Sequence, residues 1–242
     1  MPKTPAETES RIAYDAWHAA LGVDANADTP WHRLIRSYLS VPSLAQLRIL
    51  EIGCGRGDFS CWLAQQPGSS KDLIAADFSA TAANKGREYA LSQGLQLNWQ
   101  VMDIQNIALA DSSVDVIFSC ETIEHVPDPR LALRELARVL RPGGKLFLTT
   151  PNYMNLMGLY RGYLRLRGRR FQETGQPINN FVILPRTLAW VRAAGLSISS
   201  FESRGIYLPF PGRPPIDAEW LDHPRWITRW LGLHSFVMAT KT

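Results

Sequence analysis

The stretch Ile49-Leu50-Glu51-Ile52-Gly53-Cys54-Gly55-Arg56-Gly57-Asp58-Phe59 decides how this chain is read. An apolar run carries one acidic side chain, three glycines follow at every second position, and a helical pattern continues through Ser60, Cys61, Trp62, Leu63 and Ala64. This is the pattern of a strand, a tight turn and a helix. Glycine suits such a turn because it adopts positive φ freely and leaves the backbone bare to a ligand. The first N–H groups of the helix have no partner within it, so the turn can hold a polar or anionic group.

The spacing narrows the choice of ligand. Gly53-x-Gly55-x-Gly57 followed by Asp58 departs from the G-x-G-x-x-G dinucleotide fingerprint. Glu51, two residues before the first glycine, repels a pyrophosphate and attracts an ammonium or sulfonium. Working outward, strand patterns fall at 48–53, 72–77, 96–101, 114–120 and 144–150, and helical patterns at 57–66, 79–93 and 129–140. That alternation predicts a parallel sheet with helices on both faces, with ligands beyond the carboxyl ends of the strands. Asp77 ends the second strand there and Phe78 follows it. A carboxylate at this tip can accept both ribose hydroxyls of an adenosine; equally, Asp77 or Ser79 can cap the next helix. Asp103, at the end of Val101-Met102-Asp103-Ile104, reads as a turn residue when taken alone.

The longest signal runs from Asp111 through Val114-Asp115-Val116-Ile117-Phe118-Ser119-Cys120-Glu121-Thr122-Ile123-Glu124-His125 to Arg138-Val139-Leu140-Arg141-Pro142-Gly143-Gly144-Lys145. Asp128 caps and Pro129 opens the helix it contains, and Pro142-Gly143 end that helix. Glu51-Ile52-Gly53-Cys54-Gly55-Arg56-Gly57, Asp77, Asp103-Ile104 and this passage, in this order, resemble the class I S-adenosylmethionine (SAM)-dependent methyltransferases. The motifs are similar to those of ubiquinone-pathway O-methyltransferases, over roughly residues 45–152. The resemblance implies a Rossmann-like α/β domain with a mainly parallel seven-stranded sheet whose last strand is antiparallel. Around it the resemblance places a helical cap at 1–45, a cofactor core at 46–151, an insertion after the fifth strand at 152–184, and a C-terminal part at 185–242. It implies SAM as cofactor, bound by Glu51, Gly53, Cys54, Gly55, Asp77, Phe78, Asp103, Ile104 and Cys120. In that implied set Phe78 lies against the adenine, and Asp103 with the Ile104 N–H meets its edge. Helices over Arg11–Leu21 and Trp31–Leu39 would cover the site, with Tyr14 or Trp17 touching cofactor or acceptor.

Methyl transfer is an in-line displacement with an excellent leaving group, so the protein must chiefly position the acceptor and exclude water. His125, just past the fourth strand, is the candidate base, since its ordinary pKa lies near neutrality; its alternative is a structural hydrogen bond. The string Glu121-x-x-Glu124-His125 resembles the metal site of small-RNA 2′-O-methyltransferases, so Glu121, Glu124 and His125 are candidate ligands for Mg²⁺ or another divalent ion. His223 or His234 would then complete the set. In metal-free relatives the same acids cap the helix and line the loop.

Beyond the fifth strand, Asn152, Tyr153 and Arg161 are candidate substrate contacts. Tyr153, Leu156, Met157, Tyr160, Tyr163 and Leu164 form a helical stripe, the apolar face of a lid over the acceptor. Arg161, Arg165, Arg167, Arg169 and Arg170 would meet an anionic group of the substrate or a membrane, or simply solvent. Helix 185–195, strand 196–203 and final strand 234–241 follow, around a Pro- and Trp-rich stretch from Gly205 to Gly232.

Composition agrees with this reading. A hydrophobic content of 45% supports a packed core. No apolar run is long enough for a bilayer span, and Met1-Pro2-Lys3-Thr4-Pro5 lacks a signal core. Cys54, Cys61 and Cys120 lack metal-knuckle spacing and suggest a reducing, cytoplasmic setting. The net charge of +4 is uneven: residues 151–242 carry 12 basic and 5 acidic side chains. That asymmetry hints at an anionic partner. The expected partner is a small-molecule or lipid-linked substrate, with peripheral membrane contact; no RNA-binding module is visible, and no oligomeric state is indicated. Three rival readings stand beside O-methylation. They are metal-assisted methylation of an RNA or sugar hydroxyl, a non-catalytic methyltransferase-like subunit, and a nicotinamide-dependent oxidoreductase, which the missing fingerprint disfavours.

Overall fold

The computed structural model describes residues 5–23, 27–169, 176–210, 213–223 and 225–242. Two helices, α1 (Pro5–Ala19) and α2 (Pro30–Ser37), precede the first strand. Then come β1 (Ile49–Ile52), α3 (Asp58–Gln65), β2 (Leu73–Asp77), α4 (Ala80–Ser92), β3 (Asn98–Val101), β4 (Val114–Cys120), α5 (Pro129–Val139) and β5 (Leu140–Pro151). After these lie α6 (Leu156–Leu166), α7 (Leu184–Ala193), β6 (Leu196–Arg204), a hairpin of β7 (Tyr207–Phe210) and β8 (Arg213–Asp217), α8 (Arg225–Leu231) and β9 (His234–Lys241).

The main sheet has seven strands in the order β3-β2-β1-β4-β5-β9-β6. β1 to β5 pair in parallel, and β9 enters antiparallel between β5 and β6. The expected fold and its antiparallel last strand are therefore present. Alternate residues of each central strand serve opposite faces. Leu50, Ile52, Ile117 and Leu148 face α5 and α7, in a cluster with Leu133, Leu136 and Leu188. Ile49, Phe118, Phe147 and Phe236 pack with Leu34, Ile35, Phe59 and Leu63 on the other face, where rings from Phe59 to Phe118 to Phe147 are spaced by 5.0 Å at each step. Glu51 shares a strand face with Ile49 and is buried.

The caps follow the expected chemistry. Asp128 Oδ1 accepts from the N–H groups of Arg130 and Leu131 at 2.9 and 3.1 Å, with Pro129 in the first helical position. Thr29 caps α2 and Ser79 caps α4. Several boundaries differ from the sequence expectation. α1 starts at Pro5 and stops at Ala19, where Lys85 Nζ donates to the carbonyls of His18, Ala19 and Leu21 at 3.1, 2.6 and 2.8 Å. A cation on the last carbonyls of a helix ends it from outside. β5 begins at Leu140, because Leu140 already pairs with Val114 before the register shift that returns Lys145 to Val116. In the Pro- and Trp-rich stretch the chain forms the β7–β8 hairpin and α8, which carry no clear periodicity. Among the described residues no helix is long and apolar enough to cross a membrane, and all three cysteines are free and buried.

Candidate active site

The strand tips meet at a cavity of about 660 Å³, within the usual range for small-molecule sites. Glu51, Asp77 and Asp103 line it from β1, β2 and the end of β3; Cys120, Glu121 and His125 line it from beyond β4; Tyr14, Trp17 and His18 line it from α1. Of the residues assigned to the cofactor by resemblance, Glu51, Gly53, Cys54, Gly55, Asp77, Phe78, Asp103, Ile104 and Cys120 all lie on this one wall.

The glycine turn works partly as expected and partly otherwise. All three glycines have positive φ, at 74°, 54° and 79°. Gly53 and Gly57 are bare for the protein's own sake: a Cβ on Gly53 would sit 2.3 Å from Thr122, and one on Gly57 would sit 2.2 Å from the Trp99 ring. At Gly55 the nearest atom to such a Cβ is 3.7 Å away, on His18, and its N–H donates to Asp77 Oδ2 at 2.7 Å. The Ser79 N–H donates to Asp77 Oδ1 at 2.8 Å. Both Asp77 oxygens are thus oriented by backbone, and each keeps a further lone pair. Burial pushes the Asp77 pKa up, and these two N–H groups pull it part of the way back.

Glu51 is 2% exposed and accepts from Ser60 Oγ. Burial pushes its pKa up to about 8. A carboxylate this poorly compensated is a site for a cation. Asp103 Oδ1 accepts from the Gln105 N–H at 2.8 Å, which fixes the turn after β3. Phe78 carries the Arg11 guanidinium 4.5 Å from its centroid.

α1 is fastened over the cavity by polar contacts to α4. Asp15 Oδ1 accepts from Ser79 Oγ at 2.5 Å and from the Thr81 N–H at 3.0 Å. His18 pairs with Arg56 at 3.1 Å; burial, then that guanidinium, pulls its pKa down to about 4. Tyr14 donates to the His125 carbonyl at 3.2 Å, and burial pushes its pKa well up, so its hydroxyl stays protonated. Burial likewise holds the Cys54 and Cys120 thiols protonated. Trp31, His32, Gln176 and Ile178 also line the cavity and were not among the residues singled out by sequence.

Glu121, Glu124 and His125 do not converge as metal ligands. Among the described residues no group of three or more His, Cys, Asp and Glu side chains is arranged to hold a metal ion. Glu124 is 1% exposed and turned into the core, where Oε2 accepts from Thr150 Oγ1 at 3.0 Å. His125 places Nδ1 2.6 Å from the Ile178 carbonyl and Nε2 3.4 Å from Glu124 Oε1. Glu121, at φ 47°, lines the cavity apart from them. His234 stands beside Tyr207 and Trp31 instead of reaching this loop.

Asn152, Tyr153 and Arg161 lie outside the lining. Asn152 is fully buried, donating to the carbonyls of Trp230 and Gly232 and accepting from the Leu184 N–H. Tyr153 packs in a satellite core with Met157 and Leu233. Arg161 is bound to Asn179. α6 does not cover the cavity: none of its residues lines it, and Leu156 and Tyr163 of the expected stripe are 48% and 47% exposed. Arg165, Arg167 and Arg169 are also exposed; Arg170 lies outside the described residues.

A family model described as a methyltransferase domain matches residues 50–148. The ubiquinone biosynthesis O-methyltransferase of Xanthomonas oryzae pv. oryzae (strain PXO99A) is 36% identical over 183 residues, covering 72% of each chain. Its namesake from Xanthomonas euvesicatoria pv. vesicatoria is 30% identical over 180 residues, again covering 72% of each. The chain belongs to the class I SAM-dependent methyltransferases. The fold agrees: the crystal structure of a SAM-dependent methyltransferase from Mesorhizobium loti superposes with a TM-score of 0.61 at 18% identity, over 88% of this chain and 99% of that one. In this methyltransferase the donor set suits SAM chemically. Glu51 offers a carboxyl whose ionised form a cationic cofactor would stabilise, Asp77 offers oriented acceptors to a diol, and Asp103 with the Ile104 backbone offers a polar edge.

Proposed function

We propose that this methyltransferase moves a methyl group from SAM to a hydroxyl oxygen of a small-molecule or lipid-linked acceptor. The observation that carries the reading is the continuity of one cavity, from Glu51, Asp77 and Asp103 to His125, Tyr14, Trp17 and Trp31. The names and coverage of the Xanthomonas relatives support an oxygen acceptor. SAM supplies a methyl carbon on a sulfonium that departs as a neutral thioether.

The chain's residues do the rest. Glu51 holds the cofactor's cationic end, Asp77 its ribose and Asp103 its adenine. Tyr14, Trp17 and Trp31 wall the acceptor space with aromatic surface, which suits a planar ring and excludes water. His125 takes the hydroxyl proton, and the resulting cation lies beside Glu124. Among the described lining residues the one lysine or arginine is Arg56, already engaged by His18 and Gly22. This supports a neutral acceptor over a nucleic-acid phosphate. Exposed Leu156, Leu159, Tyr163 and Leu166 on α6, beside Arg165 and Arg167, support contact with an anionic membrane, where a lipid-linked acceptor would reside.

The test uses SAM labelled on its methyl group, incubated with the enzyme and whole extract of the source organism. Label partitioning into organic solvent is the expected result. Label in the aqueous phase alone would point to a sugar or RNA hydroxyl, and no transfer with SAM still bound would point to a non-catalytic subunit.

A further inference from the structure

The segment Ile178–Asn180 between α6 and α7 lies across the loop that carries His125. The Ile178 carbonyl meets His125 Nδ1 at 2.6 Å, the Asn180 N–H donates to the Glu124 carbonyl at 2.8 Å, and Asn180 Nδ2 donates to the Val126 carbonyl at 2.8 Å. Three successive residues of the loop are thereby held by one short strap. Arg161 of α6 holds the strap in turn: Nη1 donates to Asn179 Oδ1 at 3.0 Å and Nη2 to the Asn179 carbonyl at 2.7 Å. Its guanidinium lies 4.6 Å over the Tyr153 ring and 5.6 Å from that of Phe181.

We infer that this strap, locked by Arg161, is a positioning device that sets the tautomer of His125. A backbone carbonyl can only accept, so Nδ1 must carry the proton in this contact. Nε2 of the neutral ring is then the basic nitrogen, and it faces Glu124 Oε1 at 3.4 Å. The opposite tautomer would set the Nδ1 lone pair against the Ile178 oxygen and leave a buried carbonyl without its donor. What the device is for rests on the reading of His125 as proton acceptor. There, the acceptor hydroxyl would give its proton to Nε2 as its oxygen bonded the methyl carbon and the methyl–sulfur bond broke, the electron pair going to sulfur. The imidazolium so formed has the Ile178 carbonyl at one nitrogen and Glu124 Oε1, 3.4 Å away, at the other.

Arg161 touches neither His125 nor the cavity, so it acts through the strap. The insertion after β5 thus works from behind the loop, through an arginine expected to face substrate. The cation–aromatic contacts and paired hydrogen bonds explain why lysine is a poor substitute here: it offers a point charge with no planar fork.

The experiment is nitrogen NMR on full-length protein labelled in its histidines, comparing wild type with Arg161→Ala, Arg161→Lys and Asn180→Ala. The expected wild-type spectrum shows His125 protonated at Nδ1 and bare at Nε2. In Arg161→Ala the two nitrogen resonances move toward each other as the second tautomer appears, and Arg161→Lys falls between. Methyl transfer drops by roughly tenfold or more while SAM affinity stays within about twofold. Asn180→Ala removes a single hydrogen bond and carries the test if Arg161→Ala does not fold. A wild-type His125 protonated at Nε2, or a tautomer unmoved in folded variants, overturns the inference. Undiminished turnover in His125→Ala would remove the proton-acceptor reading alone and leave the tautomer result standing.

Discussion

At the tips of β1 and β2 the enclosed charges are carboxylates, Glu51 and Asp77, compensated by one hydroxyl and two backbone N–H groups. Beyond β5 the comparable charge is a half-buried cation, Arg161, between Tyr153 and Phe181 with both ends of its fork engaged. The first arrangement is electrostatically incomplete and gains from a cationic ligand. The second is complete within the protein. A residue whose charge is already satisfied by its neighbours is a poor substrate contact, however suggestive its place in the sequence.

The largest effect should come from breaking the incomplete side. Asp77→Ala leaves the Gly55 and Ser79 N–H groups without their acceptor and removes the ribose contact. SAM affinity measured by calorimetry should fall by about 100-fold or more, corresponding to roughly 3 kcal/mol. Next, Gly57→Ala forces a side chain into φ 79° and into the Trp99 ring, 2.2 Å away. Thermal unfolding should show a loss of about 2–3 kcal/mol. On the other side, Gly162 of α6 has no atom within 4 Å of a new Cβ. Gly162→Ala should therefore leave stability unchanged or raise it by up to about 1 kcal/mol. If both glycines responded alike, the contrast between a packed turn and an exposed helix would be lost.

Glu51 gives the comparison a pH dependence. Its pKa is about 8 in the folded protein against 4.5 as the ordinary value. Between those values the folded state binds more protons than the unfolded state, so stability without ligand falls as pH rises through this window. The slope is at most about 1.4 kcal/mol per pH unit, and the decline across this window is read in melting curves. Glu51→Gln should flatten the curve, and SAM should bind more tightly as pH rises across the same range. The smallest effect is expected at the exposed face of α6. Leu159→Ser should change stability by less than about 0.5 kcal/mol, while reducing co-sedimentation with vesicles containing phosphatidylglycerol.

The cofactor side was legible because its parts are local. Strand, turn and helix from Ile49 to Gln65 are contiguous, and the parallel alternation then delivers Asp77 and Asp103 to the same edge. The α1 side of the cavity was only partly legible. His18 reaches it because Asp15 grips the start of α4 and Lys85 ends α1, contacts separated by more than sixty residues that leave no periodic trace. Beyond β5 the periodicity of α6 was readable but its orientation was not. A stripe of leucines and tyrosines looks alike whether it faces a core or solvent, and here Met157 turns inward while Leu156 and Tyr163 turn out. The Glu121, Glu124 and His125 string was visible as residues. Whether they converge depends on the left-handed backbone at Glu121 and on Thr150 drawing Glu124 inward.

The most direct test of the central claim is a calorimetric titration of the full chain with SAM and, separately, with NADH. The carboxylate-tipped cavity predicts saturable SAM binding at one site per chain, weakened by Asp77→Ala, and, above about pH 8 where Glu51 is ionised without ligand, no binding of NADH, whose pyrophosphate it then repels. Binding of NADH with no heat from SAM would contradict the account.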